Sequence, residues 1–148
     1  MRNTQENMKI GIGSDHGGFA LKAQIIAHLN REGFEVIDVG NHGESSVDYP
    51  DYADKLCEAI AAGDFERGIL ICGTGIGMSM AANRYRHIRA ALCYESFSAR
   101  MSREHNNANV LCLGGRVLGV ELAKDILHTW LYADFAGGRH QSRIDRFC

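Results

Sequence analysis

The chain has 148 residues, of which 45% are hydrophobic and 23% are charged, and its formal net charge is -2. This length and this balance are typical of one ordinary globular domain and exclude a disordered chain. No apolar run is long enough to span a bilayer, and the interspersed charges give no general electrostatic basis for nucleic-acid binding. Residues 1–7 are polar and lack the apolar core of a signal peptide, so we expect a cytoplasmic protein with a flexible N-terminus over residues 1–7.

Five short runs of apolar or β-branched residues predict strands, because each run is closed by Gly, Ser or Asp. The predicted strands are Met8–Ile12, Phe34–Val39, Ile69–Cys72, Ala90–Tyr94 and Val110–Leu113. Apolar residues recur at helical spacing over residues 21–29, 52–60 and 123–131, and a further helix is predicted at Ser96–Glu104. Regular alternation of strand and helix predicts a parallel sheet covered on both faces by helices. No repeat or linker divides the chain, so residues 1–148 are predicted to form one domain.

Polar and glycine-rich segments follow four of the predicted strands. They are Ser14–Gly18 after the first strand, Val47–Pro50 after the second, Cys72–Gly77 after the third and Gly114–Arg116 after the fifth. Ligands in open α/β sheets bind beyond the carboxyl ends of the strands. We therefore expect these four loops to converge on one binding site.

The loop after the third strand contains Gly73, Gly75 and Gly77. Glycines allow tight turns that present backbone N–H groups, and a helix N-terminus favours negative charge, so this loop is suited to an anion. The P-loop pattern is absent, and the G-x-G-x-G spacing does not match the dinucleotide fingerprint, which disfavours a nucleotide. Taken by itself, the loop is equally consistent with a turn that only reverses the chain.

The five cysteines stand at positions 57, 72, 93, 112 and 148, without a C-x-x-C pair. An odd number with these spacings argues against a disulfide framework and against a structural zinc site, so we expect free thiols. Cys72 ends the third strand at the glycine loop, where a helix N-terminus favours a thiolate, and it is therefore a candidate base or nucleophile. For Cys57, Cys93 and Cys112 we prefer the ordinary role of a small buried apolar side chain.

Two further polar pairs are candidates for chemistry. Asp15 and His16 follow the first strand, where a carboxylate can orient a hydroxyl group and an imidazole can bind an anion. The aspartate is equally well explained as a helix N-cap. His105 and Asn106 follow the predicted helix Ser96–Glu104, and by themselves they are also consistent with a polar helix end.

A basic segment lies near the end of the chain. Arg139 and Arg143 have i, i+4 spacing, which on a helix places two guanidinium groups on one face, as a phosphate monoester requires. A solvated basic tail is the alternative interpretation, since His140 and Arg146 lie nearby. The preceding Gly137-Gly138 pair favours a shaped turn and therefore a phosphate site.

Together these motifs closely resemble the type B ribose-5-phosphate isomerase family, which also includes galactose-6-phosphate and allose-6-phosphate isomerases. The resemblance covers residues 8–143. The segments that carry it are Ser14–Phe19, Asp48–Pro50, Ile71–Gly77, Ser102–Asn106, Asn109–Leu111 and Gly137–His140.

The resemblance implies a doubly wound five-stranded parallel sheet, in a Rossmann-like three-layer α/β/α arrangement. It also implies a homodimer, or a dimer of such dimers, with each active site built from loops of both subunits and with no metal or organic cofactor. The implied activity is the interconversion of ribose 5-phosphate and ribulose 5-phosphate through an enediolate, in the pentose phosphate pathway.

The resemblance further implies a role for each candidate residue. Cys72 moves the proton between carbon 2 and carbon 1, while Thr74 and the amides of residues 73–77 hold the enediolate oxygen. Asp15 and His105 assist the opening of the sugar ring. The implied sugar and phosphate ligands are Tyr49, Asn106, His16, Arg116, Arg139 and Arg143, some of them supplied across the dimer. Some relatives carry a carboxylate where this chain has Ile76, so the presence of Cys72 favours the thiolate route.

Three alternatives remain open from the sequence. An isomerase for six-carbon substrates such as allose 6-phosphate or galactose 6-phosphate needs the same base and the same phosphate ligands. A module that binds a phosphometabolite without turnover uses the glycine loop and the arginines, but it leaves Asp15 and His105 without a role. An interaction protein with a structural thiol binds no such ligand.

Overall fold

The structure is a computed structural model that describes residues 8–148, so the expectation for residues 1–7 lies outside the described residues. Its strands are β1 (Lys9–Ser14), β2 (Glu35–Gly40), β3 (Arg67–Cys72), β4 (Ala90–Leu92) and β5 (Val110–Gly114). Its helices are α1 (Phe19–Arg31), α2 (Tyr49–Ala61), α3 (Ile76–Ala82), α4 (Ser96–Glu104), α5 (Val120–Tyr132) and α6 (Arg139–Ile144). A single 3-10 turn at His16–Gly18 precedes α1.

All five strands pair in parallel, in the order β2-β1-β3-β5-β4. The connection from β1 runs outward to β2, and the next connection returns past β1 to β3. The strand order therefore reverses between β1 and β3, which is where a doubly wound sheet opens a crevice for a ligand. The structure confirms the expected α/β, Rossmann-like fold.

Two apolar cores cover the two faces of the sheet, because side chains alternate between the faces along each strand. Residues such as Ile69 and Ile71 of β3 pack with α1, α4 and α5. Leu70 and Cys72 of the same strand pack with α2 and α3 on the opposite face. The thiol of Cys72 therefore projects on the side of the sheet where α3 begins. None of the helices among residues 8–148 is long and apolar enough to cross a membrane.

Several strand ends differ by one or two residues from the sequence prediction, and those of β1 and β4 bear on the polar loops. β1 continues to Ser14, which pairs with Ile71 of β3, so this strand is longer than the run Met8–Ile12. β4 ends at Leu92 instead of Tyr94, because it is an edge strand that pairs only with the short β5. The side chain of Tyr94 is thereby free to turn toward the loop after β3, where it acquires a role described below.

Local sequence accounts for the helix ends nearest the polar loops. Pro50 lies in the first turn of α2, where the fixed φ of proline and its missing N–H group are tolerated. α4 has the predicted bounds, and the carboxylate of Glu95 accepts the N–H of Ser98 at its N-terminus. Gly137 and Gly138 both have positive φ, so they form the shaped turn expected before α6.

Candidate active site

The loops that follow β1, β3 and β5 are joined by backbone hydrogen bonds at the carboxyl edge of the sheet. Asp15 donates its N–H to the carbonyl of Ile71 at 3.1 Å, and Gly115 donates to the carbonyl of Cys72 at 2.8 Å. The loop after β2 joins them, since the N–H of Asn41 donates to the carbonyl of Ser14 at 2.9 Å. The predicted segment Val47–Pro50 also reaches this edge, because the N–H of Val47 donates to the Nδ1 atom of His16 at 3.2 Å.

Glycine is needed where these loops touch. A Cβ atom on Gly115 would lie 2.6 Å from the carbonyl oxygen of Gly17, and one on Gly17 would lie 3.2 Å from the backbone nitrogen of Gly73. The guanidinium group of Arg116 lies against Gly73, with its Nη1 atom 3.4 Å from the position of a Cβ there. A cationic side chain therefore borders the glycine loop, where an anion was expected to bind.

Cys72 ends β3 beside this loop, and its side chain is only 5% exposed. Its Sγ atom accepts the backbone N–H of Gly75 at 3.2 Å. Gly75 has a φ of 83°, a left-handed conformation that aims this N–H back toward the strand end. A donor pointed at sulfur stabilises the negative charge of a thiolate, so the geometry suits a thiol that acts as a base.

The other buried thiols have a different environment. Burial raises the pKa of Cys57 to about 12, with additional contributions from the charges of Asp54 and Glu58. Burial also raises the pKa of Cys93 to about 11 and that of Cys112 well above its usual range. These three thiols are therefore protonated at neutral pH, as expected for small buried side chains.

Thr74 lies at the tip of the glycine loop and is held from two sides. Its hydroxyl oxygen accepts the N–H of Ile76 at 3.2 Å, and its carbonyl oxygen accepts the hydroxyl of Tyr94 at 2.6 Å. The sequence analysis did not single out Tyr94. Tyr94 is the last residue of the strand predicted at Ala90–Tyr94, and nothing in that position signals its contact with the loop after β3.

Tyr49 forms a wall beside the same loop. A Cβ atom on Gly77 would lie 2.6 Å from carbon atoms of the Tyr49 ring, so the ring packs directly on the first turn of α3. The side chain of Tyr49 remains 38% exposed. An aromatic ring in this position can line a bound sugar, as the resemblance implies.

Asp15 and His16 directly follow β1 at the same edge of the sheet. The Oδ1 atom of Asp15 accepts the N–H of Gly18 at 3.1 Å, so this carboxylate does cap the short turn His16–Gly18. The N–H of Val47 donates to the Nδ1 atom of His16 at 3.2 Å. Because Nδ1 accepts this hydrogen bond, the ring proton is assigned to Nε2, which is then a donor for an anion.

The remaining candidates lie at the opposite, amino edge of the sheet. His105 directly follows α4, which runs against the strands and ends where the chain turns into β5. Asn106 lines a cavity of about 410 Å³ together with Ala90, the first residue of β4. Within one chain, therefore, His105 and Asn106 are separated from Cys72 by the length of the sheet.

The arginines of α6 lie at this amino edge as well. The ring of His140 in α6 stacks on that of His105, with 4.3 Å between the ring centroids and 13° between the planes. Arg139 and Arg143 are exposed on the same short helix, at the predicted i, i+4 spacing. Desolvation lowers the pKa of His140, and the charges of His105 and of these arginines lower it further.

The arrangement at the carboxyl edge combines the thiol of Cys72, a glycine loop, the cationic side chain of Arg116 and the imidazole of His16. Among residues 8–148, no group of three or more His, Cys, Asp or Glu side chains is placed to hold a metal ion. The thiol and the glycine loop can together remove a proton next to a carbonyl group and stabilise the resulting oxyanion, with backbone amides and side chains as the hydrogen-bond donors.

Comparison with known proteins identifies the family. A sequence model described as Ribose/Galactose Isomerase matches residues 10–147. Ribose-5-phosphate isomerase B of Escherichia coli K12 is 53% identical over 137 residues, which cover 93% of this chain and 92% of the relative. D-erythrulose-4-phosphate isomerase of Pectobacterium atrosepticum is 44% identical over 141 residues, which cover 94% and 92%. A solved structure of Clostridium thermocellum ribose-5-phosphate isomerase B has 59% identity and a TM-score of 0.93, with 94% of each chain covered. The chain belongs to the ribose/galactose isomerase family.

Proposed function

We propose that this chain is an aldose–ketose isomerase that interconverts ribose 5-phosphate and ribulose 5-phosphate in the pentose phosphate pathway. The observation that carries the proposal is the buried sulfur of Cys72, which faces the N–H of Gly75 in the crevice between β1 and β3. The Escherichia coli and Clostridium thermocellum relatives are named as enzymes of this activity. Free cysteines at all five positions fit a reducing compartment, so we place the activity in the cytoplasm.

The first chemical step is the opening of the sugar ring. Ribose 5-phosphate is a furanose, so its C1–O4 bond breaks while O4 gains a proton and the hydroxyl group on C1 loses one. Asp15 and His105 supply the acid and the base for this exchange. The step yields an aldehyde at C1 beside a C2–H bond.

The second step is the proton transfer. The thiolate of Cys72 takes the proton from C2, and the electron pair moves to form the C1–C2 double bond of an enediolate. Thr74 and the loop amides bind the negatively charged oxygen, which is the largest stabilising effect available to such a reaction. The hydroxyl proton of the C2 oxygen passes to the C1 oxygen, and the C2 oxygen becomes a carbonyl as the thiol returns its proton to C1. Cys72 is then again a thiolate.

The phosphate group positions the sugar for both steps. His16 and Arg116 border the glycine loop and bind the phosphate from the same chain as Cys72. Arg139 and Arg143 add two guanidinium groups, whose fork geometry matches phosphate oxygens. Because these two arginines lie at the amino edge, they act on the site of a second copy.

The separation of the Cys72 group from the His105 group supports a second copy. Ile76 and Met80 of α3 are 42% and 66% exposed, and they form an apolar strip that starts at the glycine loop. At the far end of α3, Asn83 lines the same cavity as Asn106. A two-fold axis across α3 reverses the helix in the second copy, which brings Asn106 of that copy toward Cys72. We therefore propose a homodimer with two shared active sites.

The test is the conversion of ribose 5-phosphate to ribulose 5-phosphate in a metal-free buffer with chelator. The wild type is expected to turn over, and Cys72→Ala is expected to lose turnover while it still binds the sugar phosphate. Cys57→Ala, which removes a thiol remote from the loop, is the matched control and is expected to keep its activity. Full turnover by Cys72→Ala would assign proton transfer to another group. No turnover by the wild type would redirect the assay to six-carbon phosphates.

A further inference from the structure

The turn that carries His105 and Asn106 is held by a buried arginine. Arg103 lies in the last turn of α4 and is only 5% exposed. Its Nη1 atom donates to the side-chain oxygen of Asn107 at 3.0 Å and to the carbonyl of Ala108 at 2.6 Å. Both acceptors lie immediately after His105 and Asn106, so the guanidinium group spans the turn from inside.

Asn107 is the residue on which this turn depends. It has a φ of 48° and is the one non-glycine residue with positive φ among residues 8–148. Asparagine tolerates this left-handed conformation better than most residues, although it is still disfavoured. A second arginine fixes the backbone here, because the Nε atom of Arg89 donates to the carbonyl of Asn107 at 2.8 Å.

We propose that Arg103 is a positioning residue for ring opening, which acts by holding Asn107 in its left-handed conformation and thereby aiming His105 and Asn106 at the sugar. This inference rests on the proposed function, because it assumes that His105 serves in ring opening. Arg103 itself is buried behind the turn and does not touch the substrate.

The charge of Arg103 is not explained by an ion pair. No salt bridge within residues 8–148 includes it. Its hydrogen-bond acceptors are carbonyl and amide oxygens, including the carbonyl of Ala133 at 3.4 Å. Burial lowers its pKa to about 10, the charges of Arg67 and Arg89 lower it further and the charge of Asp134 raises it, so the group stays protonated at neutral pH. A buried cation that binds only neutral acceptors is costly, which is consistent with a positional role for those acceptors.

The two chemical steps can be measured separately. Ribulose 5-phosphate cannot close a furanose ring, because the hydroxyl group that would close it carries the phosphate. Exchange of its C1 hydrogen with solvent deuterium therefore needs Cys72 but needs no ring opening. Conversion of ribose 5-phosphate needs both steps.

The experiment compares these two rates at saturating substrate in Arg103→Met and in Asn107→Gly. Glycine adopts positive and negative φ about equally well, so the glycine variant removes the side-chain acceptor of Arg103 and frees the turn from its left-handed conformation. It therefore tests the same contact between Arg103 and Asn107 if Arg103→Met does not fold. Each folded variant is expected to lose about tenfold or more in kcat for ribose 5-phosphate, while deuterium exchange stays within about twofold of the wild type. Arg100→Met, which removes an exposed arginine of the same helix, is the matched control and is expected to retain both rates.

Two outcomes would overturn the inference. Parallel loss of both rates would show a general structural role for Arg103, and unchanged rates in Asn107→Gly would show that the link to Asn107 is dispensable. Failure of the proposed function gives a different result, because the wild type would then catalyse neither conversion nor exchange.

Discussion

The backbone N–H of Gly75 donates to the Sγ atom of Cys72 at 3.2 Å, and this contact requires glycine. Gly75 has a φ of 83°, and a Cβ atom there would lie 2.6 Å from the side chain of Leu92 and 2.9 Å from the backbone of Leu113. Backbone strain and overpacking together are expected to cost Gly75→Ala about 2–5 kcal/mol of unfolding free energy. Because the loop amides then shift, kcat is expected to fall about 100-fold.

A second glycine provides the control for this substitution. Gly63 has the same φ of 83°, but a Cβ atom there would meet nothing within 4 Å. Gly63→Ala is expected to lose about 1 kcal/mol of unfolding free energy and to keep its kcat. Urea denaturation and steady-state kinetics measure both quantities, and equal kcat values in the two variants would contradict the role given to the Gly75 amide.

Shared active sites predict complementation between two inactive variants. Cys72→Ala and His105→Ala are each expected to be inactive as homodimers. In a mixed dimer, one site contains both damaged residues and the other contains neither. Equal mixing with subunit exchange is therefore expected to restore about a quarter of the wild-type activity.

The control for complementation is a mixture of Cys72→Ala with Thr74→Ala. Both residues lie on the same loop, so every site in the mixed dimer carries one damaged residue, and no gain over the separate variants is expected. If the first mixture also stays inactive although subunit exchange is demonstrated, Cys72 and His105 do not serve one site from different chains.

Removal of the Ser14 hydroxyl group is expected to stabilise the fold, which is an unusual result for a buried position. Its Oγ atom is buried without a hydrogen-bond partner among residues 8–148. Ser14→Ala removes this unsatisfied group and is expected to raise the unfolding free energy by about 1 kcal/mol. Ser102 is the matched control, because its buried Oγ atom donates to the carbonyl of Ala99 at 2.8 Å. Ser102→Ala is expected to lower the unfolding free energy by about 1 kcal/mol. Urea denaturation measures the change in unfolding free energy for both variants, and changes of the same sign would contradict the prediction.

The raised pKa of Cys57 predicts a loss of stability in alkali. Its folded-state pKa of about 12 lies above the ordinary value of 9.0, so the folded chain holds this proton more tightly than the unfolded chain does. The corresponding stability is complete below about pH 9 and is lost as the pH rises toward 12. Between about pH 9 and 11, unfolding free energy is expected to fall less steeply in Cys57→Ala than in the wild type.

The comparison for this pH series is Ile126→Val, which shortens a buried side chain of α5 and removes no titratable group. This variant is expected to reproduce the wild-type slope of unfolding free energy against pH. A Cys57→Ala slope equal to that of the wild type would mean that the alkaline loss arises from other groups, with Cys93 the next candidate because its pKa is raised to about 11.

The order of the elements was predictable because periodicity is a local property of the chain. Alternating short apolar runs and helical spacing correctly predicted five parallel strands, and α4 has the predicted bounds Ser96–Glu104. The strand ends were less predictable, since a strand ends where its neighbour stops offering hydrogen bonds. Ser14 extends β1 because Ile71 lies beside it, and β4 stops at Leu92 on the edge of the sheet.

Part of the candidate site was also predictable. The position of Cys72 at the end of a strand, before a glycine loop, was enough to separate it from the other cysteines. Tyr94 and Arg103 were not recognised, because their roles are hydrogen bonds to backbone oxygens. Such contacts depend on how loops fold back in space, and no residue type or spacing encodes them.

The sequence by itself determined the fold class, the set of candidate side chains and the edge of the sheet at which Cys72 lies. Only the tertiary structure decided that His105 and the arginines of α6 lie at the other edge. The physical reason is that α4 runs against the strands and returns the chain to the amino edge before β5 begins. Spacing along the chain does not report this distance, and the distance is the reason why we propose that a second copy completes each site.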